Sequence, residues 1–527
     1  MKRPNIVLFL AEDLDYEGLN CYDAAATGYT GLIHAGNSYA GETEVPTQGM
    51  LTPTIDTMAG NGAMFESYYC ASPICTPARY SVLTGRFPER SPELIQEAGG
   101  KPATIWFNTP IMPGETLLPK QLKQSGYHTA IFGKWHNYPT EVYNQIYDQY
   151  TSFPDTATWD DPEAQKAVRR GYQMAADYLR GETFGWDVAE RIYYENPEII
   201  YPYELSCQNI DWVVEGAVSF IREQREEEQP FFAYVAVSLP HSRYNGERFS
   251  NANLRSSPAG LLEDIPSVMS TREEIRARVK AAGLPDDACE GLWLDEAVKA
   301  IHKAVCEIGK EQETCFIFTT DHPTAGKGSC HLGRIPLIFY WPGTIEALPP
   351  QRQLLSEVDL TPTILEMAGC PLAPDTVLDG RSFWNLLRRQ PFRERESVMM
   401  EVVNSRAIVK DGFKYIANRL PGRSIEEVNL FLARELHSAN RFSHPPMDEE
   451  TAWKTVGWFA IPERDYMFWN LDRLFPDYFD KDQLYDLRSD PLEQHNLAEK
   501  PHYKAVLKEM QEEMKRQLAN MPNPFSV

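Results

Sequence analysis

Of five short apolar runs, Ile6–Leu10, Thr129–Phe132, Phe231–Val237, Cys315–Phe318 and Ile335–Tyr340, the first four lead within two residues into polar or charged ones. Their length and their β-branched or aromatic content are those of strands buried on both faces. Helical patterns lie between them, at Leu117–Gln124, Ile210–Gln224 and Leu294–Ile308. Strands that alternate with helices predict an α/β fold, a large mixed, mainly parallel sheet sandwiched by helices. In such sheets ligands sit beyond the carboxyl ends of the strands. The residues that follow each run therefore matter most: Glu12-Asp13, Gly133-Lys134-Trp135-His136, Pro240-His241 and Asp321-His322. Four strand ends deliver carboxylates, histidines and a lysine to one edge.

After Arg381-Ser382-Phe383 the alternation fades. Short strands are expected at Val398–Val403, Ala407–Lys410 and Lys414–Ile416, then an aromatic-rich loop region, then a helix near Tyr503–Leu518. A chain of 527 residues exceeds the size at which one core usually stops growing. The expected division is an N-terminal domain over 1–390 and a smaller C-terminal α+β subdomain over 391–527, carrying a short antiparallel sheet. Ala24–Met50 and Ser242–Leu292 read as inserted loops, which in compact enzymes are usually lids or surface elaborations.

The net charge of −24 repels nucleic acid and anionic membranes at long range, so neither is expected as a partner. An anionic substrate would need local positive charge in its site. The nine cysteines, at 21, 70, 75, 207, 289, 306, 315, 330 and 370, lack the regular spacing of a disulfide framework or zinc knuckle. No stretch approaches the roughly 20 apolar residues that span a bilayer. Asn5–Leu10 is too short for a secretory signal and ends at acidic residues. The sequence as it stands reads as cytoplasmic, or as periplasmic or secreted if a leader has been removed.

The most informative segment is Cys75-Thr76-Pro77-Ala78-Arg79-Tyr80-Ser81-Val82-Leu83-Thr84-Gly85-Arg86. Pro77 suits the first turn of a helix and Gly85 its C-terminal cap. Cys75 then stands at the helix N-terminus, where free N–H groups favour an anion. Arg79, one turn on, offers a fork suited to a tetrahedral oxyanion. A lone cysteine in this setting is more often a half-buried residue before a capped helix. The full spacing, Cys-x-Pro-x-Arg followed by Leu-Thr-Gly-Arg, resembles the signature of the formylglycine-dependent sulfatases, arylsulfatase-like members of the alkaline phosphatase superfamily. The resemblance continues through Pro4–Asp13, Thr52-Pro53 with Ile55-Asp56, and Ser125–Thr129 through Gly133–His136. It resumes at Phe318–His322, Arg334–Pro336 to Trp341–Gly343, Asp359–Thr363, and Leu484–Leu487 with Asp490-Pro491. The two insertions, and roughly 137–205 and 417–470, carry no matching motif.

The resemblance implies hydrolysis of sulfate esters, carbohydrate or aryl and alkyl, with Cys75 oxidised to formylglycine by a formylglycine-generating or anaerobic sulfatase-maturating enzyme. It implies one divalent cation held by Glu12, Asp13, Asp321 and His322 beside Cys75. So oxygen-rich a set suits Ca²⁺ first, with Mg²⁺ or Mn²⁺ as alternatives. Glu12 is a departure, since the family usually has aspartate there. By the same resemblance Lys134 and His136 hold the aldehyde hydrate and the sulfate. If that segment stays extended, both point to one side and Trp135 packs on the other. His241 resembles the residue that protonates the leaving alcohol, against a plain reading as a structural surface histidine. Lys327, in Gly326-Lys327-Gly328, resembles the lysine that bridges sulfate and leaving oxygen, against a plain loop lysine. His331 is a reserve acid without a family counterpart.

In the implied mechanism one hydroxyl of the hydrated aldehyde attacks sulfur, and the second releases sulfate on losing its proton to His136. Arg79, Lys134, Lys327 and the metal neutralise the sulfuryl oxygens. An acidic protein with one positive pocket favours small or short sulfated substrates over long polyanions. The nearest rival is a phosphonate or phosphate mono- or diesterase of the same superfamily. A non-catalytic anion- or glycan-binding relative would have lost Cys75, Arg79 or a metal ligand, and all are present.

Overall fold

The computed structural model describes residues 3–22, 50–153, 157–158, 161–196, 208–241, 253–373, 376–420, 427 and 471–527. Its main sheet has seven strands: β1 (Asn5–Ala11), β2 (Ala63–Phe65), β3 (His128–Lys134), β4 (Val188–Tyr193), β5 (Phe231–Ala236), β6 (Thr314–Thr320) and β7 (Leu337–Tyr340). Their order is β2-β7-β6-β1-β5-β3-β4. All pairings are parallel except those of β7, which runs against both its neighbours. β1 lies at the centre, with Leu8 level with Ile317 on one side and Tyr234 on the other.

The buried strands face two cores. Ile6, Leu8 and Leu10 point into one hydrophobic cluster, under α2 (Cys75–Thr84), α3 (Leu118–Gln124) and α8 (Leu360–Met367). Val7, Phe9 and Ala11 point into the other, under α1 (Pro53–Asn61), α6 (Ile210–Glu223) and α7 (Cys289–Glu307). That two-sided burial is why these strands read as continuous apolar runs rather than alternating ones.

β8 (Val398–Val402), β9 (Ser405–Lys410), β10 (Phe413–Asn418) and β11 (Asp482–Asp486) form an antiparallel sheet in that order. Val398, Met400, Val409 and Ile416 join the same cluster as Ile6 and Leu8. On the other side Ile408, Tyr415 and Leu484 pack under Met510 and Met514 of α9 (Lys504–Leu518). Among the described residues no helix is long and apolar enough to cross a membrane.

Two parts go beyond the sequence reading. The span without motifs contains α4 (Thr140–Tyr150), α5 (Pro162–Leu179) and β4. Ser242–Leu292 is more than a loop: it holds a two-stranded hairpin at Ser256–Leu261 and a helix at Arg272–Ala281. That helix begins with a Thr271–Glu274 capping box, a start signal legible in the sequence. Residues 242–252 of this insertion, and all of Ala24–Met50 except Met50, lie outside the described residues. Most of the aromatic-rich region after 420 does too.

Candidate active site

β6, β1, β5 and β3 are four successive strands at the middle of the sheet. Their carboxyl ends carry Asp321-His322, Glu12-Asp13, Leu239-Pro240-His241 and Lys134-Trp135-His136. Above that edge α2 starts at Cys75 and ends at Gly85, whose φ of 67° forms a left-handed cap closing on Ser81 O. All ten residues of α2 are buried, so its amino terminus points into the protein rather than at solvent. Gly133 lets β3 approach β5 just before Lys134, because a Cβ there would sit 2.0 Å from Ala236 O. Its φ is 90°, which also favours glycine.

The charged groups interlock. Lys134 Nζ donates to Glu12 Oε1 and, at 2.8 Å, to Asn196 Oδ1. Arg79 Nε donates to Asp321 Oδ2 at 3.2 Å, Nη1 to Lys134 O at 3.1 Å, and Nη2 lies 3.7 Å from Glu12 Oε2. Lys327 Nζ bridges both Asp13 oxygens, at 2.9 and 2.7 Å. None of these six side chains belongs to a residue more than 4 % exposed. Burial pushes the Asp13 carboxyl up, but His241, Lys327 and His322 outweigh it and hold the group at about 2. Glu12 is likewise held well below its usual range against burial, by Lys134 first. Burial raises the Cys75 thiol well above its ordinary range despite Lys134 and Lys327. An unmodified Cys75 is therefore a neutral thiol and a weak nucleophile.

Three carboxylates and three cations cancel on their own. A divalent ion added to this set would leave a net positive pocket in an acidic protein.

The residues fit such an ion. Glu12, Asp13, Cys75 and His241 offer donor atoms within 4.8 Å of one another, as do Cys75, Asp321 and His322. Burial lowers the His322 pKa, so its ring is neutral. Its Nδ1 lies 3.0 Å from Pro323 O, which assigns the proton to Nδ1 and the lone pair to Nε2. That Nε2 stands 3.1 Å from Asp13 Oδ1 and 3.3 Å from Cys75 Sγ. Glu12 Oε2 is buried without a hydrogen bond. Electron-rich atoms aimed at one another, with one carboxylate oxygen unsatisfied, are what a cation would reconcile. Glu12 stands among them, so the longer arm keeps the position usable.

The second half of the site was not foreseen. Glu195 and Asn196 follow β4 and are 3 % and 2 % exposed. Glu195 Oε2 lies 2.5 Å from His136 Nε2, and Tyr143 Oη donates to the same carboxylate at 3.2 Å. Asn196 accepts from Lys134 and places its Nδ2 3.2 Å from His241 Nε2. His241 Nε2 also lies 3.5 Å from Asp13 Oδ2. Trp135 packs away from this cluster, edge-on to Phe184 and Trp186, as expected. The reason differs: His136 has a φ of 65°, so the segment is not extended there. Asp13, with a φ of 54°, shares this left-handed backbone, and such outliers gather at functional sites.

The structure brings Cys75, Arg79, Lys134, His136, His241, Lys327, Glu12, Asp13, Asp321 and His322 together. His331 stands elsewhere. Its ring stacks on Phe475 at 4.0 Å and its Nε2 meets Tyr485 Oη at 3.4 Å, under the C-terminal sheet. Glycines on either side let the chain turn between Lys327 and His331, so closeness in sequence did not become closeness in space.

A family model described as Sulfatase matches residues 4–370. The N-acetylgalactosamine-6-sulfatase of Rattus norvegicus is 27 % identical over 400 residues, covering 72 % of this chain and 64 % of that protein. An ulvan-active sulfatase of Formosa agariphila is 22 % identical, covering 97 % of this chain and 79 % of its own. The chain thus spans slightly under two thirds of the rat relative's length and more of the second. A crystal structure described as Ps i-CgsB in complex with k-i-k-neocarrahexaose superposes with a TM-score of 0.54 at 18 % identity, covering 100 % of this chain and 95 % of that one. That likeness shows the fold.

Proposed function

This chain belongs to the sulfatase family, and from that membership we propose that it hydrolyses sulfate esters of carbohydrates, using Cys75 matured to formylglycine. The observation that carries the reading is the buried set around Cys75: three carboxylates, three cations and an imidazole nitrogen converge on the start of one helix. The family implies a metal ion and a cysteine-derived formylglycine in general. Here Glu12, Asp13, Asp321 and His322 would hold the ion, and three carboxylates with one imidazole favour Ca²⁺. When bound, the ion supplies Lewis acidity at the nucleophilic oxygen and neutralises sulfuryl charge. The relatives named for N-acetylgalactosamine 6-sulfate and ulvan, and the neighbour solved with neocarrahexaose, support a sulfated sugar. Maturation needs a formylglycine-generating or anaerobic sulfatase-maturating enzyme.

This chain's own residues then divide the work. Arg79, Lys134 and Lys327 bind the sulfuryl oxygens, where developing charge is greatest and water is excluded. Burial lowers the pKa of His136 despite Glu195, so the ring is neutral. Glu195 accepts the Nε2 proton, which leaves the lone pair on Nδ1, a buried atom without a hydrogen bond. His136 Nδ1 is therefore the base, and Glu195 orients it. Glu195→Gln should lower kcat on the order of 10²–10⁴-fold, as loss of an orienting carboxylate does in catalytic triads, with KM little changed. An unaltered kcat would remove Glu195 from the mechanism.

His241 protonates the leaving oxygen, with Lys327, which meets the same Asp13 oxygen, as the alternative donor. A sugar alkoxide needs that proton far more than a phenolate does. His241→Ala should cost on the order of 10²–10⁴-fold on a sugar or alkyl sulfate, and markedly less on an activated aryl sulfate. Equal losses on both would reassign the acid to Lys327.

The division into 1–390 and 391–527 follows the same reading. The residues assigned to chemistry all precede 390, and the family match ends at 370. The test of function is a panel of sulfated sugars, aryl sulfates and matching phosphodiesters given to matured protein. Sulfate esters should be turned over far faster. Preference for the phosphodiesters would make the protein a phosphoesterase of the same superfamily.

A further inference from the structure

The catalytic groups follow the carboxyl end of β6. At its other end, a second set of metal-ligating side chains stands on the protein surface. His302 and Cys306 lie four residues apart near the end of α7, and so share a face. The turn after the helix then brings Glu311 back beside them. His302 Nε2 is 3.3 Å from Glu311 Oε1 and 3.7 Å from Cys306 Sγ. The three donor atoms all lie within 4.8 Å of one another.

Those separations can be compared with what a tetrahedral ion imposes. Zinc sits about 2.0–2.1 Å from imidazole nitrogen, about 2.0–2.2 Å from carboxylate oxygen and about 2.3 Å from thiolate sulfur. Tetrahedral angles then place neighbouring donors roughly 3.3–3.8 Å apart. Both His302 distances fall in that interval. The frame is also held in place. Tyr340 Oη donates to Glu311 Oε1 at 3.1 Å, and the Tyr340 ring meets His302 edge-on at 5.5 Å. Trp341 Nε1 donates to Gln312 O at 2.9 Å, and Lys310 Nζ to Gln224 O and Glu227 O at 2.6 Å each. The turn that carries Glu311 is thus tied to β7 and to the segment after α6.

We propose that His302, Cys306 and Glu311 form a three-ligand site for Zn²⁺, with solvent at the fourth position. A thiolate and an imidazole select against Ca²⁺ and Mg²⁺, so this site does not compete for the ion at the catalytic edge. On binding, the Cys306 thiol gives its proton to solvent and the Sγ–metal bond forms. The ion would clamp the end of α7 to the turn that enters β6 at Thr314. β6 is the strand that delivers Asp321 and His322.

The test uses the full chain in excess Ca²⁺, with Zn²⁺ added at micromolar concentration. Cys306 is exposed, so its alkylation by iodoacetamide can be followed by peptide mass spectrometry. Zn²⁺ should slow alkylation at least about tenfold, because only the free thiolate reacts, and a chelator should reverse the effect. His302→Ala and Glu311→Gln should each weaken that protection while leaving sulfate-ester turnover intact. Co²⁺ should give a thiolate-to-metal charge-transfer band in the near ultraviolet that disappears in Cys306→Ser. An ordinary His302–Glu311 pair beside an unrelated thiol gives the opposite results. Alkylation then proceeds at one rate with and without Zn²⁺, or protection survives His302→Ala, and either outcome overturns the proposal.

Discussion

Cys75→Ser protein should fold normally and lose turnover on the order of 10⁶-fold, the scale of nucleophile deletions in other hydrolases. The fold should survive because the exchange of sulfur for oxygen changes little volume, and Cys75 is one of ten buried residues of a helix that Gly85 closes. The activity should not, because a serine hydroxyl can take the sulfuryl group but has no geminal hydroxyl with which to release it. Thermal unfolding and a sulfate-release assay on the same preparation separate the two effects. Retention of more than a small fraction of the activity would mean that the chemistry does not depend on an aldehyde at this position.

Asp321→Ala should lose both the metal and turnover, on the order of 10³-fold or more, since charge stabilisation at the sulfuryl group goes with it. Asp321 does more than ligate. Its Oδ1 accepts from the backbone N–H groups of Asp13 at 3.1 Å and His322 at 2.8 Å, and its Oδ2 accepts from Arg79. Alanine would leave the fully buried Arg79 guanidinium without that partner, which costs about 3–5 kcal/mol in comparable buried pairs. Asp321→Asn keeps the backbone bonds and most of the shape, but removes the charge and turns an amide donor toward Arg79 Nε. Both variants should bind less than stoichiometric metal. Chelation of the unaltered protein should abolish turnover without unfolding it, because neither hydrophobic core contains the site residues. Full activity in Asp321→Asn with no bound metal would exclude this centre.

The sequence was most informative where burial is two-sided. β1, β3, β5 and β6 are unbroken apolar runs because helices cover both their faces, and site residues follow each run within four positions. β4 escaped notice for the converse reason. Among the described residues it is the last strand of the sheet and pairs only with β3, and it carries Glu190 and Arg191, the latter at a φ of 56° beside a register shift at Phe132/Gly133. With the strand hidden, Glu195 and Asn196 at its end were hidden too. A strand read at Val188–Tyr193 would have been the available signal for them. Left-handed backbone at Asp13 and His136 leaves no mark in a sequence without glycine there. Pairings such as Arg79 with Asp321 join residues 242 positions apart, and only the sheet order makes them neighbours.

The central claim is that Cys75 is converted to an aldehyde and that the aldehyde does the chemistry. Mass spectrometry of a peptide containing Ser72–Arg79, taken from preparations that differ in specific activity, measures this directly. The fraction carrying formylglycine or its hydrate should rise in proportion to turnover, and protein with only the thiol should be inactive. Active protein in which every such peptide retains an intact Cys75 thiol would contradict the account.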